Sequence, residues 1–134
     1  MTYHQDIQSN LKMHVRNLES IGKEEVLPEK MLRHFEKTIQ ILKIINGERP
    51  AYYKTLIEYL DQEGRNFGWS FPESTEEEKC EKEFWKLKDS MKSIIQGMTA
   101  NERLYFFGYL DEYENLKPIE RSARENIELK LFMK

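Results

Sequence analysis

Residues 74–97 read STEEEKCEKEFWKLKDSMKSIIQG, and they carry the clearest helical pattern of the chain. Ser74 and Thr75 are each followed three residues later by a glutamate, which is the spacing of a helix-capping box. Apolar side chains then recur every three or four residues, as on one face of an α-helix, at Cys80, Phe84, Leu87, Met91, Ile94 and Met98. This pattern predicts an amphipathic helix over residues 75–96 that ends at Gly97.

Five other segments show helical periodicity as well. We place these helices at about 3–21, 28–46, 50–63, 100–115 and 118–133. Between the third and fourth helices, residues 64–74 combine two glycines and a proline with three aromatic side chains, which is typical of an irregular loop. The whole chain has six Gly and four Pro, too few for the frequent turns of a β-sandwich. We therefore predict an all-α protein whose residues 1–134 form a single domain, a bundle of five or six mostly antiparallel helices.

The charge balance and the single cysteine restrict the class of protein. Lys and Arg total 21 and Asp and Glu total 24, which gives a formal net charge of −3. Because non-specific nucleic-acid binding depends on basic side chains that neutralise phosphates, this balance disfavours nucleic acid as a partner. One cysteine allows no intramolecular disulfide, the N-terminus lacks the pattern of a secretion signal, and no apolar run approaches the ~18 residues of a membrane span. We therefore expect a cytoplasmic protein with no membrane contact.

The sequence lacks the familiar catalytic and metal-binding patterns. His4, His14 and His34 are ten and twenty residues apart, whereas two ligands on one helix face are three or four residues apart. We interpret His34 as a residue at the flank of a helix or one that makes a supporting polar contact, and the lone Cys80 as a small core residue. No Gly-rich phosphate loop or nucleophile motif occurs. These features favour a non-enzymatic protein with no catalytic residues, no metal ion and no cofactor.

Three aromatic residues of the predicted loop are candidates for binding a protein partner. Phe67, Trp69 and Phe71 alternate with smaller or polar residues in this glycine-containing segment. Large aromatic side chains supply much of the binding energy of protein interfaces. The alternative is that the three rings fold over the helices as a lid, because monomeric proteins rarely expose extensive apolar patches.

The predicted fifth helix offers a second candidate surface. Tyr105, Tyr109 and Tyr113 are spaced four residues apart, which places three rings on one stripe of a helix. Such a stripe suits a partly hydrated groove or the seam of a homodimer, and packing in the core is the alternative. Gly108 lies within the same predicted helix, where glycine costs ~1 kcal/mol relative to alanine. We therefore expect a close approach of another helix at Gly108.

The acidic residues are densest around the start of the predicted fourth helix. Glu73, Glu76, Glu77 and Glu78 lie within six residues of one another. Acidic side chains stabilise a helix N-terminus, so one interpretation is a solvated end of this helix. The other interpretation is an acidic surface that contacts a basic partner.

Two blocks of the chain resemble the helical domain of the putative phage abortive-infection family. Residues 33–45 are similar to the family's His-Tyr-Phe-Arg-x-Leu-Tyr-x-Ile-Leu-Lys helix, with matches in register at Phe35, Ile41, Leu42 and Lys43. Residues 91–107 are similar to its Ile-x-Arg-Ala-Gln-Leu-Ser-x-x-Glu-Leu helical hairpin, in which Thr99 and Glu102 match the serine and the glutamate. The resemblance implies a setting in phage–host conflict, without implying a particular activity.

Two hypotheses about function follow. The first is a non-enzymatic module that binds a protein partner through aromatic side chains, either as a component of phage defence or as a phage-encoded inhibitor of a defence system. Small acidic proteins suit the inhibitor role because they can occupy basic channels. The alternative is a small helical-bundle enzyme or ligand-binding protein with a pocket between the second, fourth and fifth helices.

Overall fold

The computed structural model describes residues 2–24, 26–68, 72 and 74–134. Within these residues it contains seven helices and no strand, which confirms the all-α prediction and corrects the predicted count of five or six. The helices are α1 (Tyr3–Glu24), α2 (Glu29–Ile45), α3 (Pro50–Gly68), α4 (Thr75–Gln96), α5 (Ala100–Phe106), α6 (Leu110–Glu114) and α7 (Arg121–Lys130). Across the described residues, none of these helices combines the length and the apolar character that crossing a lipid bilayer requires.

The four long helices supply most of the packing. α1 packs along α4 and against α2, and α2 packs against α3. Gln8 at one end of α1 donates to the carbonyl of Ile45, whereas His14 further along α1 contacts His34, so α1 and α2 run in opposite directions. The start of α4 is defined by Ser74, whose side chain accepts a hydrogen bond from the backbone N–H of Glu77.

The buried apolar side chains form two clusters at different levels of these helices. The larger cluster includes Ile7, Leu11, Ile41, Ile45, Leu56, Leu60, Leu87 and Met91. The smaller cluster contains Leu18, Met31, Phe67, Cys80 and Phe84. Each of the helices α1 to α4 contributes to both clusters, so the two lie one above the other along the same four helices. The level between them is occupied by polar side chains, which are described below.

Helix α3 is longer than the sequence predicts. It passes through Gly64 and ends at Gly68, so the predicted loop over residues 64–74 begins too early. The reason is Phe67, whose ring is buried and lies 4.8 Å from the ring of Phe84, centroid to centroid. Burial of an aromatic side chain contributes ~1.5–3 kcal/mol, which exceeds the ~1 kcal/mol cost of glycine within a helix.

The predicted helix over residues 100–115 is two helices, α5 and α6, with Gly108 between them. Gly108 has a φ of +76°, in the left-handed region that favours glycine. A Cβ atom at this position would lie 2.8 Å from the carbonyl oxygen of Pro50 at the start of α3. The expected close approach at Gly108 is therefore present, although the glycine separates two helices instead of lying within one.

The ends of two other helices also differ from the prediction. α1 continues past Gly22 to Glu24, and α7 begins at Arg121 instead of near residue 118. Glu120 closes a turn before α7, because its N–H donates to the carbonyl of Lys117 while its carboxylate accepts from the N–H of Lys117. Ile119 lies outside the helix and is 90% exposed, so it does not extend the buried face.

Candidate functional site

A buried polar layer crosses the protein between the two apolar clusters. We define it as His14 of α1, His34 and Thr38 of α2, and Tyr59 and Glu63 of α3. His14, His34 and Glu63 are 3%, 2% and 3% exposed. His14 Nε2 lies 2.9 Å from His34 Nε2, and His34 Nδ1 lies 2.9 Å from Glu63 Oε1. These two hydrogen bonds connect three helices through the imidazole of His34.

The surroundings of His34 hold its imidazole in one orientation. Thr38 Oγ1 donates to the backbone carbonyl of His34 at 2.8 Å and lies 2.5 Å from the hydroxyl of Tyr59. The ring of Tyr59 stacks on the imidazole at 5.9 Å with an interplanar angle of 14°. Phe67 and Phe84 meet the same imidazole edge-on, at 5.1 and 5.4 Å. Aromatic rings from α3 and α4 therefore pack against the imidazole of His34.

The carboxylate of Glu63 has several donors around it. In addition to His34, Asn66 Nδ2 donates to Oε2 at 2.8 Å, and Lys37 Nζ lies 3.5 Å from the same oxygen. Burial alone would raise the pKa of Glu63, but the hydrogen bonds from His34 and Asn66 and the charges of His34 and Lys37 outweigh it and lower the pKa. Glu63 is therefore an ionised carboxylate at neutral pH.

His14 is the neutral end of the network. Burial, together with the charge that His34 can carry, lowers the pKa of His14 to about 3. His14 Nδ1 is buried and has no hydrogen-bond partner within the part of the chain that the structure describes. Because Nε2 of His14 is already hydrogen-bonded to His34, Nδ1 is the ring nitrogen of His14 that remains available to another group.

Two proton arrangements fit the distances within the network. In the acceptor state, His14 Nε2–H donates to a neutral His34, and His14 Nδ1 is an unprotonated acceptor. In the donor state, His34 is cationic, its Nε2–H donates to His14, and His14 Nδ1 carries the proton. His34 Nδ1–H donates to Glu63 in both states. The two states differ by one proton on His34, and His14 Nδ1 is an acceptor in the first and a donor in the second.

One side of the polar layer opens into a cleft between α2 and α3, which we call the basic cleft. Its volume is about 410 Å³. The residues that line it are Lys30, Arg33, His34, Lys37, Glu63, Arg65, Asn66 and Phe67. Four of these side chains are cationic and one is a carboxylate, in a chain whose formal net charge is −3. The basic cleft is therefore a local concentration of positive charge on an acidic protein.

The other side of the polar layer opens into a second cleft, between α1 and α4, which we call the α1–α4 cleft. Its volume is also about 410 Å³. The residues that line it are Asn10, Met13, His14, Asn17, Glu83, Lys86, Leu87, Asp89 and Ser90. Because His34 and Glu63 line the basic cleft and His14 lines this one, the hydrogen-bonded network connects the two clefts through the interior.

The structure separates the aromatic residues that the sequence groups together in the loop. Phe67 is buried in α3 and belongs to the smaller apolar cluster, so it is not an exposed binding residue. Trp69 and Phe71 lie outside the described residues, and the choice between a lid and a binding patch stays open for them.

The three tyrosines of the predicted fifth helix do not share one exposed stripe. Tyr105 is 65% exposed on α5, whereas Tyr109 is buried and its hydroxyl donates to Glu58 Oε1 at 2.5 Å. Tyr113 is half-buried on α6, with its hydroxyl 3.5 Å from Glu128 Oε2. The break at Gly108 changes the direction of the chain, which is why the spacing of four residues does not align the rings.

The predicted acidic surface is divided as well. Glu77 is buried, Glu76 is half-buried and Glu78 is exposed, with a carboxylate oxygen 3.4 Å from Lys82 Nζ. Glu73 lies outside the described residues. The first turn of α4 therefore presents Glu78 fully to solvent, Glu76 in part, and Glu77 to the interior.

The described residues hold neither a cluster of metal-ligating side chains nor an activated thiol. Nowhere in the ranges that the structure covers do three or more His, Cys, Asp or Glu side chains gather in a way that could hold a metal ion. Cys80 is buried, and burial, with the charges of Glu83, Glu77 and Glu76, raises the pKa of its thiol to about 11. A thiol with this pKa is protonated at neutral pH and is a poor nucleophile.

Sequence reasoning missed the polar layer and the basic cleft. It placed His34 either at the flank of a helix or in a supporting polar contact, and the flank alternative is wrong, because His34 is buried and hydrogen-bonded at the centre of the network. The available signal was a polar residue at a core position of the apolar spacing, as in Leu11–His14–Leu18 and Leu60–Glu63–Phe67. A scan of this chain against protein-family models, curated proteins and solved structures found no match.

Proposed function

We propose that this chain is a ligand-binding protein that takes a small anion, bearing phosphate or carboxylate groups, in the basic cleft. The observation that carries this proposal is the convergence of Lys30, Arg33, Lys37 and Arg65 on one cavity between α2 and α3. A cavity of about 410 Å³ falls within the range of small-molecule sites.

The cationic side chains of the basic cleft differ in the contacts that they already make within the protein. Lys37 lies 3.5 Å from Glu63, Arg65 lies 3.1 Å from Asp61, and Lys30 Nζ lies 5.4 Å from the ring centre of Phe67. Arg33 is exposed and has no hydrogen-bond or ion-pair partner among the described residues. A guanidinium group presents parallel N–H donors that match the oxygens of phosphates and carboxylates. Arg33 is therefore the side chain best placed to bind the anion directly.

Lys30, Arg33 and Lys37 share one face of α2, because residues three, four and seven apart lie on the same side of a helix. Arg65 reaches the cleft from α3. The polar layer fixes the distance between these two helices through the His34–Glu63 hydrogen bond of 2.9 Å. The arrangement of the cations thus depends on the buried network beneath them.

The network favours binding over catalysis. Burial lowers the pKa of His14 to about 3, which makes its imidazole a weak general base near neutral pH. His34 already uses both ring nitrogens, toward His14 and Glu63. The buried groups therefore support the cleft and do not supply a reactive atom to it.

A titration with tripolyphosphate, and separately with citrate, tests the proposal by amide ¹H–¹⁵N NMR. We expect saturable shifts for residues of α2 and α3 around the basic cleft. Arg33→Glu should weaken binding by about tenfold or more, which corresponds to a lost charge-assisted hydrogen bond. Arg16→Glu is the matched control, because Arg16 is an exposed arginine of α1 that does not line the cleft.

Two results would contradict this function. One is the absence of any saturable shift around the basic cleft with either anion. The other is equal weakening by Arg33→Glu and Arg16→Glu, which would mean that the anions respond to net charge and not to the cleft.

A second candidate function is the binding of a protein partner, which the exposure of Tyr105 supports. Its ring is 65% exposed on α5, and tyrosine is enriched at the centres of protein interfaces. Capture of a protein from the source cell by the wild type and by Tyr52→Ser, but not by Tyr105→Ser, would support this function. A homodimer through α5, a cytoplasmic location and a setting in phage–host conflict stay predictions.

A further inference from the structure

His14, one of the residues that line the α1–α4 cleft, has a buried ring nitrogen without a partner. Among the described residues, no group makes a hydrogen bond to Nδ1 of this imidazole. Folded proteins rarely leave a buried polar atom unsatisfied, so such an atom beside a cavity calls for a partner within that cavity. The geometry of His14 thus indicates a ligand that makes one hydrogen bond to Nδ1.

The other polar groups of the cleft show which chemistry fits. Asn17 Nδ2 donates to Glu83 Oε2 at 2.9 Å, and Lys86 Nζ lies 3.3 Å from Glu83 Oε1. The cation of the cleft, Lys86, is therefore already paired with the carboxylate of Glu83. Asp89 is an exposed carboxylate with no ion-pair partner in the part of the chain that the structure describes. The groups left for a ligand therefore include an imidazole nitrogen and a carboxylate.

We propose that the α1–α4 cleft binds a small organic cation, whose N–H groups donate to His14 Nδ1 and to the carboxylate of Asp89. Met13 and Leu87 supply apolar walls for the carbon chain of such a molecule. The α1–α4 cleft has two carboxylates and one ammonium group, so its net charge is negative, whereas that of the basic cleft is positive. This site goes beyond the proposed function and does not depend on it.

Binding of the cation selects one proton arrangement of the buried network. An N–H donor pairs with Nδ1 only in the acceptor state, in which His14 Nε2–H donates to His34. The charged groups on the side of His34 line the basic cleft and are Lys30, Arg33, Lys37, Glu63 and Arg65. Those on the side of His14 line the α1–α4 cleft and are Glu83, Lys86 and Asp89. The side-chain ¹⁵N resonance of His14 Nδ1 consequently reports occupancy of the cleft.

Agmatine, which has an amine at one end and a guanidinium group at the other, is the probe for this site. We expect agmatine to bind the full chain saturably at pH 7.5 and to shift the Nδ1 resonance of His14. Asp89→Asn should weaken binding by about tenfold, the loss typical of a charge-assisted hydrogen bond. Asp111→Asn, at an exposed aspartate of α6 away from the cleft, should bind agmatine as the wild type does.

Uncharged 1,4-butanediol, which has the same four-carbon chain, should not compete with agmatine. The proposal is overturned if agmatine does not bind, if it leaves the His14 Nδ1 resonance unchanged, or if Asp89→Asn and Asp111→Asn bind it equally. Arg33→Glu should leave agmatine binding intact, so failure at the basic cleft and failure at this site are distinguishable. Because Asp89 is exposed, its substitution tests the site without disturbing the buried layer.

Discussion

The imidazole rings of His14 and His34 meet Nε2 to Nε2 at 2.9 Å, between an apolar cluster above and another below. This contact joins α1 to α2, and the bond from His34 to Glu63 continues it to α3. A hydrogen-bonded layer of this kind specifies which helices pair at that level, because any other register would leave buried polar groups without partners. The two clefts exist at this level because polar side chains occupy the core positions there.

Replacement of Glu63 by glutamine should destabilise the fold. The amide preserves the shape of the side chain but removes the charge that accepts from His34, Asn66 and Lys37. We expect a loss of about 1.5–3 kcal/mol in the free energy of unfolding, the value of a hydrogen bond to a charged group. Urea unfolding measures it, with Glu36→Gln on the exposed face of α2 as the control. A loss no larger than that of the control would show that the charge of Glu63 does not stabilise the layer.

The stability of the protein should fall as the pH drops below about 6.5. The pKa of His14 is lowered from 6.5 to about 3, so the unfolded chain binds a proton in this interval that the folded chain does not. The free energy of unfolding then decreases by up to about 1.4 kcal/mol per pH unit. The lowered pKa of Glu63 acts in the same direction below its ordinary value of 4.5.

Urea unfolding at several pH values between 4.5 and 7.5 measures this dependence. His14→Leu should have a shallower slope than the wild type, because leucine takes up no proton in either state. Parallel slopes for the wild type and His14→Leu would show that His14 is not held neutral by the fold.

Gly108→Ala should lower the melting temperature. A methyl group there would lie 2.8 Å from the carbonyl oxygen of Pro50, on a backbone with a φ of +76°. Left-handed strain and the close contact together cost at least about 1–3 kcal/mol. Gly68→Ala is the control, because among the described residues no atom outside the local backbone lies within 4 Å of a Cβ atom at Gly68, and alanine favours the helix. Equal melting temperatures for the two variants would mean that the turn between α5 and α6 has room to move away from α3.

The two clefts should bind their ligands with negative coupling. An anion beside His34 stabilises the cationic imidazole and hence the donor state, whereas agmatine requires the acceptor state of His14 Nδ1. Saturating tripolyphosphate should therefore weaken agmatine binding by about fivefold or more, and agmatine should weaken tripolyphosphate binding by the same factor. Calorimetric titrations of each ligand in the presence of the other measure this coupling. This negative coupling should vanish in the Arg33→Glu variant. If the coupling persists in that variant, the two ligands contact each other directly in solution.

The sequence predicts the helices better than it predicts the buried polar layer between the two apolar clusters. The capping box and the apolar spacing of residues 75–96 depend on local chemistry, and α4 has the predicted bounds. The polar layer depends on partners twenty and twenty-nine residues apart, so the meeting of His14, His34 and Glu63 has no local signature. Only their positions within the apolar spacing of α1, α2 and α3 pointed to burial.

The misplaced helix ends have a related cause. The sequence predicts a helix end at Gly64 and a continuous helix through Gly108. Instead, α3 continues past Gly64, with Phe67 packed on Phe84, and the chain breaks at Gly108, where the carbonyl of Pro50 approaches. In each case a contact with a distant element decides whether the local preference is followed. The basic cleft escaped prediction for the same reason, since Arg65 joins Arg33 and Lys37 only when α3 packs on α2.

Side-chain ¹H–¹⁵N correlation of the histidines across pH 8 to 5 tests the central claim most directly. If His14, His34 and Glu63 form one buried network, His14 stays neutral over the whole interval, and Nδ1 of His34 keeps its proton throughout. A His14 resonance that titrates near 6.5, as an imidazole in water does, would contradict the network and the account of both clefts.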